Sequence, residues 1–423
     1  MLFGGVVTML VGFTCENYAS FRAECALSMR ASSIREHGET HTIASSHGRL
    51  LKSTLVYGAN AAGKSNLLKS MWFMRQMVLL SVSVRGLPAQ AESFKFVQDN
   101  ETHPSVFEVS FILGEVLYRY GFQLSGGRVQ GEWLYRKVKR ESLLFERSGP
   151  SWSTIELKGP LKALETIKNH TRDDALFVMV AALFNNTTAN DIVKWFESVI
   201  IVTPYSSPAE TFSYMHDGDE NRRAVLKYLQ RADTGIEDVL FSKTDTDSQE
   251  ETVHVGDDFR VTTIKKTLEV DFKTSHAVYN AQNARVASID LPFLEYQSAG
   301  TVQLFEMLGP VLRGLQEGRL VIIDELGARL HPNLTRLIFS LFHSLDHSRT
   351  TAQLICNTHD VLLLEEGIRR DQVWFVQKNQ RGESELYSLH EFADIRQDDL
   401  FRKKYLLGVF GAVPRLESNV AHE

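Results

Sequence analysis

This chain of 423 residues lacks an excess of positive charge, a cysteine framework and long apolar runs, and each absence removes a class of protein. Lys and Arg number 46 against 52 Asp and Glu, a net charge of -6. That balance creates no global basic field to draw in nucleic acid, so DNA is an unsupported partner. The three cysteines, Cys15, Cys25 and Cys356, sit in strand-like contexts and are too few for a disulfide scaffold; they suit reduced thiols in a cytoplasmic protein. No run approaches the roughly 18 apolar residues of a membrane span. The apolar opening Met1 to Thr8 has no charged n-region, so neither a signal peptide nor membrane contact is expected. No sustained heptad pattern separates Lys64 from Asp324, which argues against a long coiled coil. Zinc-type Cys/His spacing and a Ser-His-Asp set are also missing.

Against these absences stands a strong local motif. Gly58-Ala59-Asn60-Ala61-Ala62-Gly63-Lys64-Ser65 fits the phosphate-loop pattern G-x-x-x-x-G-K-[ST] in full. The apolar run Leu55-Val56-Tyr57 precedes it as a short strand, and a helical stretch opens at Asn66. Such a strand–loop–helix turns backbone N–H groups inward over a helix N-terminus, a cradle for phosphates. Lys64 would neutralise β- and γ-phosphates, and the Ser65 hydroxyl would complete a Mg²⁺ shell.

Three further motifs follow in order. Arg319-Leu-Val-Ile-Ile-Asp324-Glu325 is an apolar run of the kind that forms a buried parallel strand, closed by two carboxylates. Asp324 suits Mg²⁺, and Glu325, pointing elsewhere, could orient and deprotonate an attacking water. Ser298-Ala299-Gly300-Thr301 precedes a helical stretch, where a Ser hydroxyl, free N–H groups and the helix dipole favour an anion. His359 closes the apolar run Gln353-Leu-Ile-Cys-Asn-Thr, where a γ-phosphate sensor would sit.

This ordered set resembles the ABC-type ATPases of the SMC, RecF and OLD-nuclease group, the AAA-15 and AAA-21 families, and is most similar to the ATPase subunit of RloA- and AriA-type bacterial defence systems. Met9 to Arg22, with Asn17, Ser20 and Phe21, looks like the family's opening strand, and Tyr405 to Pro414 like a tail of that subgroup. The resemblance implies ATP and Mg²⁺ bound by Gly58 to Asn66 of one copy. Ser298 to Thr301 of a second copy would reach the γ-phosphate in a head-to-tail dimer or larger homo-oligomer. Leu330-His331-Pro332 would take the place of the D-loop, and His359 that of the switch histidine. Tyr296-Gln-Ser-Ala-Gly-Thr departs from the transporter signature Leu-Ser-Gly-Gly-Gln. The implied activity is ATP hydrolysis with Lys64, Glu325 and His359 as catalytic groups. The implied role is a switch that controls a nuclease or toxin from a neighbouring gene in abortive infection. A RecF-like DNA-repair ATPase and a self-contained anticodon-nuclease-type effector are the alternatives. No toprim-like module follows the head, which weighs against a self-contained OLD nuclease. Gln90 and Gln98 are candidates for the Q-loop.

The expected fold is α/β, an ABC-type P-loop head with a mixed sheet, an antiparallel β subdomain and an inserted helical lobe. Residues 1–154 would form the first part of the head, with antiparallel ribbons at Phe107 to Leu113 and Leu117 to Leu124. Residues 155–258 would form the lobe, with the apolar stretch Ala175 to Phe184 inside it and an exposed acidic loop from 241. Residues 259–390 would complete the head, and 391–423 form a tail. Asp245-x-Asp247 reads as a solvated turn, not a nuclease metal pair. Tyr135 to Arg140 reads as a solvated ribbon face, and Arg402-Lys-Lys404, after Asp398-Asp399, as cations in intrachain pairs or on a polar helix face.

Overall fold

The computed structural model describes residues 7–98, 103–149, 156–204, 206–245, 249–255, 259–265, 268–344, 350–365, 367–393, 395 and 400–414. The chain forms two compact units. The first comprises Met1–Tyr205, Arg313–Ala328 and Pro332–Glu423, the second Ser206–Leu312 with Arg329–His331.

Two sheets build the first unit. In one, the order is Glu156–Leu157, Glu141–Ser148, Arg128–Lys137, Val116–Ser125, Ser105–Leu113, Thr8–Glu16, Cys25–Ser28, antiparallel throughout. Ser105–Leu113 alternates buried and half-buried residues, the period of a strand with one face on a core. The second sheet runs Ile200–Val202, Leu320–Ile323, Gln353–Asn357, Ser53–Tyr57, Val373–Lys378, Ser384–Ser388; the first five are parallel and the last antiparallel. Ser53–Tyr57, Leu320–Ile323 and Gln353–Asn357 are buried along their whole length, which accounts for the apolar residues on both faces at their centres. Gln353 joins the sheets: its amide accepts from Leu10 N at 2.6 Å and donates to Leu10 O at 3.1 Å and Leu51 O at 2.9 Å.

The helix Lys64–Leu80 buries Leu67, Leu68, Met71, Met74, Met77 and Val78. Phe177–Leu183 and Thr187–Ser198 share the same core. Trp195 stacks on Phe111 at 4.1 Å, and the Arg75 Nε donates to Phe196 O at 2.9 Å. Contacts therefore divide the chain at Ser206, not near 155, because these two helices bury their apolar faces on the antiparallel sheet. Leu183 and Phe184 end the apolar stretch exposed, at 57% and 53%.

The second unit opens with helices Ala209–His216 and Asp219–Arg231. A three-stranded antiparallel sheet follows, ordered Asp238–Asp245, Leu268–Tyr279, Arg285–Pro292, with a separate ribbon of Gln249–Val255 on Phe259–Lys265. Much of the region expected to be an acidic loop is thus strand. The β-branched residues of Thr252-Val-His-Val255 and Val261-Thr-Thr-Ile264 favour that state over the acidic composition. Asp245 ends a strand, and Asp247 lies outside the described residues, as do Asp398 and Asp399. Arg402 pairs with Glu365. Among the described residues no helix is long and apolar enough to cross a membrane.

At the end of the Ser53–Tyr57 strand away from the phosphate loop, a buried histidine, His41, meets a partly buried one, His343. The rings of His41 and His343 stack at 3.8 Å. His41 Nδ1 donates to Gln372 Oε1 at 2.7 Å, and His343 Nε2 lies 2.9 Å from Ser53 Oγ. Burial pulls the His41 pKa down to about 4, opposed by the Gln372 hydrogen bond, and burial also lowers His343. In the unfolded chain these imidazoles protonate near 6.5, whereas folded His41 stays neutral until about 4. Stability is therefore present above the unfolded value and is lost as pH falls. Unfolding free energy by urea titration should be lower at pH 5 than at pH 7, with about 2 kcal/mol of the drop from His41. A His41→Gln variant should show a smaller drop; equal drops in both proteins would contradict this assignment.

Candidate functional site

The central strand Ser53–Tyr57 runs into the loop Gly58 to Gly63, and Lys64–Leu80 follows as a helix capped by Gly63. Gly63 has φ +115, and a Cβ there would stand 2.4 Å from Ser384 Oγ and 2.6 Å from Ser20 Oγ. At Gly58 a Cβ would meet Val376 O at 2.4 Å. Both positions exclude any side chain, as close approach of a loop backbone to phosphate requires. Ala61 also takes a left-handed φ of 59, and Ser384 Oγ donates to Ala62 O at 2.5 Å, fixing the loop from the neighbouring strand. Asn66 Nδ2 donates to Ser20 Oγ at 2.8 Å, which ties the loop to the Asn17 to Arg22 segment.

Lys64 is only 6% exposed and folds back on its own loop, Nζ donating to Gly58 O at 2.9 Å and Ala59 O at 3.0 Å. Burial lowers its pKa, while Glu325 and Asp324 act to hold the charge. Asp324 follows the strand Leu320–Ile323, its N–H donating to Val202 O at 2.9 Å. Ser65 Oγ donates to Asp324 Oδ1 at 2.9 Å. Glu325 is exposed and left-handed, at φ 61. His359 stands at the end of Gln353–Asn357; partial burial and the Lys64 charge lower its pKa, with Glu325 opposing. That direction leaves its imidazole neutral at neutral pH. The fold thus brings Gly58 to Asn66, Asp324, Glu325 and His359 to one rim of the parallel sheet, at the carboxyl ends of its strands, where ligands bind in open α/β sheets.

Ser298, Ala299, Gly300, Thr301 and His331 belong to the second unit. Ser298 caps the helix Ala299–Glu317, its Oγ accepting from Thr301 N at 3.1 Å. A Cβ on Gly300 would lie 2.8 Å from Arg329 O, so the start of this helix packs tightly on the residues next to His331. Gln90 and Gln98 are exposed.

Sequence reasoning passed over one residue. Asn357, 0% exposed, donates through Nδ2 to Asp324 Oδ1 at 2.5 Å and to Ser65 Oγ at 3.4 Å, and its Oδ1 accepts from Glu325 N. A polar residue closing the run Leu354-Ile-Cys356, two before His359, was the available clue.

For Mg²⁺, the structure offers hard oxygen donors: Ser65 Oγ and Asp324 Oδ1, already within hydrogen-bond distance of each other. Among the described residues no group of three or more His, Cys, Asp or Glu could hold a metal. A site with one carboxylate and one hydroxyl matches Mg²⁺, which keeps waters and takes phosphate oxygens.

Fold and site together define a P-loop nucleotide-binding domain of the α/β class. The chain belongs to the AAA domain family AAA_21, whose description names the AbiEii toxin and type IV TA systems, and whose model matches residues 53–365. Among solved structures, the SMC head domain from Thermotoga maritima is similar, at 11% identity and a TM-score of 0.40, with 90% of this chain and 98% of that chain covered. No curated protein matches the sequence.

The crowding at Gly63 yields a direct test. Gly63→Ala should weaken binding of a fluorescent ATP analogue at least tenfold, a loss of about 1.4 kcal/mol, with an unchanged far-UV circular dichroism spectrum. Wild-type affinity in that variant would show that the loop does not hold phosphate.

Proposed function

We propose that this protein is a cytoplasmic ATP-hydrolysing switch, in which two copies join head to tail around ATP and control a partner nuclease or toxin in defence against phage. The observation that supports it best is the meeting of Lys64, Ser65, Asp324, Glu325 and His359 at one rim of a parallel sheet. The family description, which names a toxin and toxin–antitoxin systems, agrees with the defence role.

In this reading the loop N–H groups and the N-terminus of Lys64–Leu80 receive the phosphates. Lys64 exchanges its bonds to Gly58 O and Ala59 O for β- and γ-phosphate oxygens. Ser65 and Asp324 would hold Mg²⁺, which supplies charge neutralisation on those oxygens. Glu325 orients a water in line with the γ-phosphate and takes its proton. His359, neutral at working pH, donates or accepts one hydrogen bond at the γ-phosphate and water. Ser298 and Gly300, at the start of a 19-residue helix, present N–H groups and a positive dipole end to the γ-phosphate held by the other copy. Each ATP is then shared by two copies, and its hydrolysis releases them. Closure is the bistable element, since ATP makes contacts in the closed state that it cannot make in the open one.

Glu325→Gln should retain ATP binding, lower hydrolysis by at least a hundredfold, and accumulate as a larger assembly with Mg-ATP when sized by light scattering. Co-expression with the neighbouring gene would show the partner retained or shed with that change. An assembly size indifferent to ATP in both proteins would sink the switch, and undiminished hydrolysis would remove Glu325 as the base.

A further inference from the structure

Asn357 has no role in the reaction outlined above, yet its side chain reaches three groups of the site. Glu325 N–H can only donate, and the Asp324 carboxylate accepts. Their demands fix the orientation of the amide between them: Oδ1 faces Glu325 N and Nδ2 faces Asp324 Oδ1, at 2.5 Å. Ser65 Oγ lies on the same nitrogen at 3.4 Å. The main chain of Asn357 adds a fourth tie, its carbonyl accepting from Leu326 N at 2.9 Å. Two successive amides beyond the acidic strand, those of Glu325 and Leu326, are thus held by one residue. Glu325 meanwhile keeps a left-handed φ of 61, uncommon for a residue with a long side chain. Such conformations persist only where the surroundings over-determine them.

We propose that Asn357 is a positioning residue of the nucleotide site, which sets the Asp324 carboxylate and the Glu325 peptide together and so ties metal binding to placement of the base. An amide suits this task because it donates at one end and accepts at the other; a carboxylate would offer acceptors alone, and a lysine donors alone. Asn357 is fully buried in Gln353–Asn357, beside both Leu320–Ile323 and Ser53–Tyr57, so its position is set by the sheet and not by a mobile loop. Asp324 is aimed by a rigid neighbour, the arrangement by which second-layer partners tune metal ligands. The inference rests on the ATPase reading for its consequence in turnover, but not for its consequence in metal binding.

The test uses the full chain with Asn357→Ala and Asn357→Ser, and Mn²⁺ as an EPR-visible probe in the presence of ADP. Loss of the amide should weaken Mn²⁺ binding about 10–100-fold, the usual effect of removing such a partner. Affinity for ADP without metal should stay within about twofold of wild type by the same reasoning. At saturating metal, kcat for ATP should fall while KM changes little, and the serine hydroxyl should restore part of both losses. If Asn357→Ala does not fold, Asn357→Ser carries the same measurements. Wild-type Mn²⁺ affinity and kcat in a folded variant would overturn the proposal. So would an equal loss of ADP binding with and without metal, which marks general damage to the site. A wild-type protein that binds Mn²⁺ and ADP but does not hydrolyse ATP would remove the ATPase reading and leave the Mn²⁺ result to decide the role of Asn357.

Discussion

A nearly buried ammonium group governs the design of this molecule. Lys64 has little water around it, and a charge withdrawn from water is costly unless it is paired and hydrogen-bonded. The protein answers with two carbonyls of the same loop and the fields of Asp324 and Glu325. Those partners can be supplied only if three strands end side by side, since the loop, the carboxylates and His359 leave different strands. The parallel order Leu320–Ile323, Gln353–Asn357, Ser53–Tyr57 delivers that, with register pairs running from Ser53 opposite Leu354 to Ile323 opposite Cys356. Parallel pairing places all the carboxyl ends on one rim, and the charged residues follow from it.

Burial of these strands makes polar satisfaction at both ends a structural requirement. At the loop end, Asn357 and Ser384 satisfy groups that the ladders leave open. At the other end the His41, His343, Gln372 and Ser53 group does so with neutral imidazoles. Gln353 fixes the parallel sheet to Thr8–Glu16 of the antiparallel one. The phosphate loop is thus held from beneath by hydrogen bonds whose loss would leave buried donors or acceptors bare. Such a loss costs more than the net worth of an average hydrogen bond.

The parts of this arrangement that depend on fixed local spacing were legible in the sequence. Gly58 to Ser65 carries its geometry within eight residues, and the apolar runs before Asp324 and His359 announce buried strands. Long-range pairing was not legible. Nothing near Thr187 to Ser198 says that Trp195 will stack on Phe111, so those helices read as a lobe of their own. The acidic stretch after 241 concealed strands because charge dominates its composition while β-branched residues set its backbone. Asn357 was hidden for the same reason: its partners lie 32, 33 and 292 positions away. An asparagine in a strand has meaning only once its neighbours across the sheet are known.

The segment after Asp324 departs from ordinary backbone angles. Glu325, Gly327 and Arg329 all take left-handed φ angles, of 61, 101 and 60. Thr358 Oγ1 donates to Leu326 O at 2.6 Å, and Leu326 N donates to the Asn357 carbonyl, so the last residue of the Gln353–Asn357 strand and the one after it grip the middle of this segment. Asp324 to Ala328 belong to the first unit and Arg329 to His331 to the second, where Gly300 sits against the Arg329 carbonyl. The backbone that places Glu325 is therefore continuous, four residues on, with the residue against which the helix of Ser298 begins. Non-glycine residues in left-handed angles store strain that a small shift in their hydrogen bonds can release. Glu325 and Arg329 carry that strain, whereas Gly327 between them takes its angle without a steric cost.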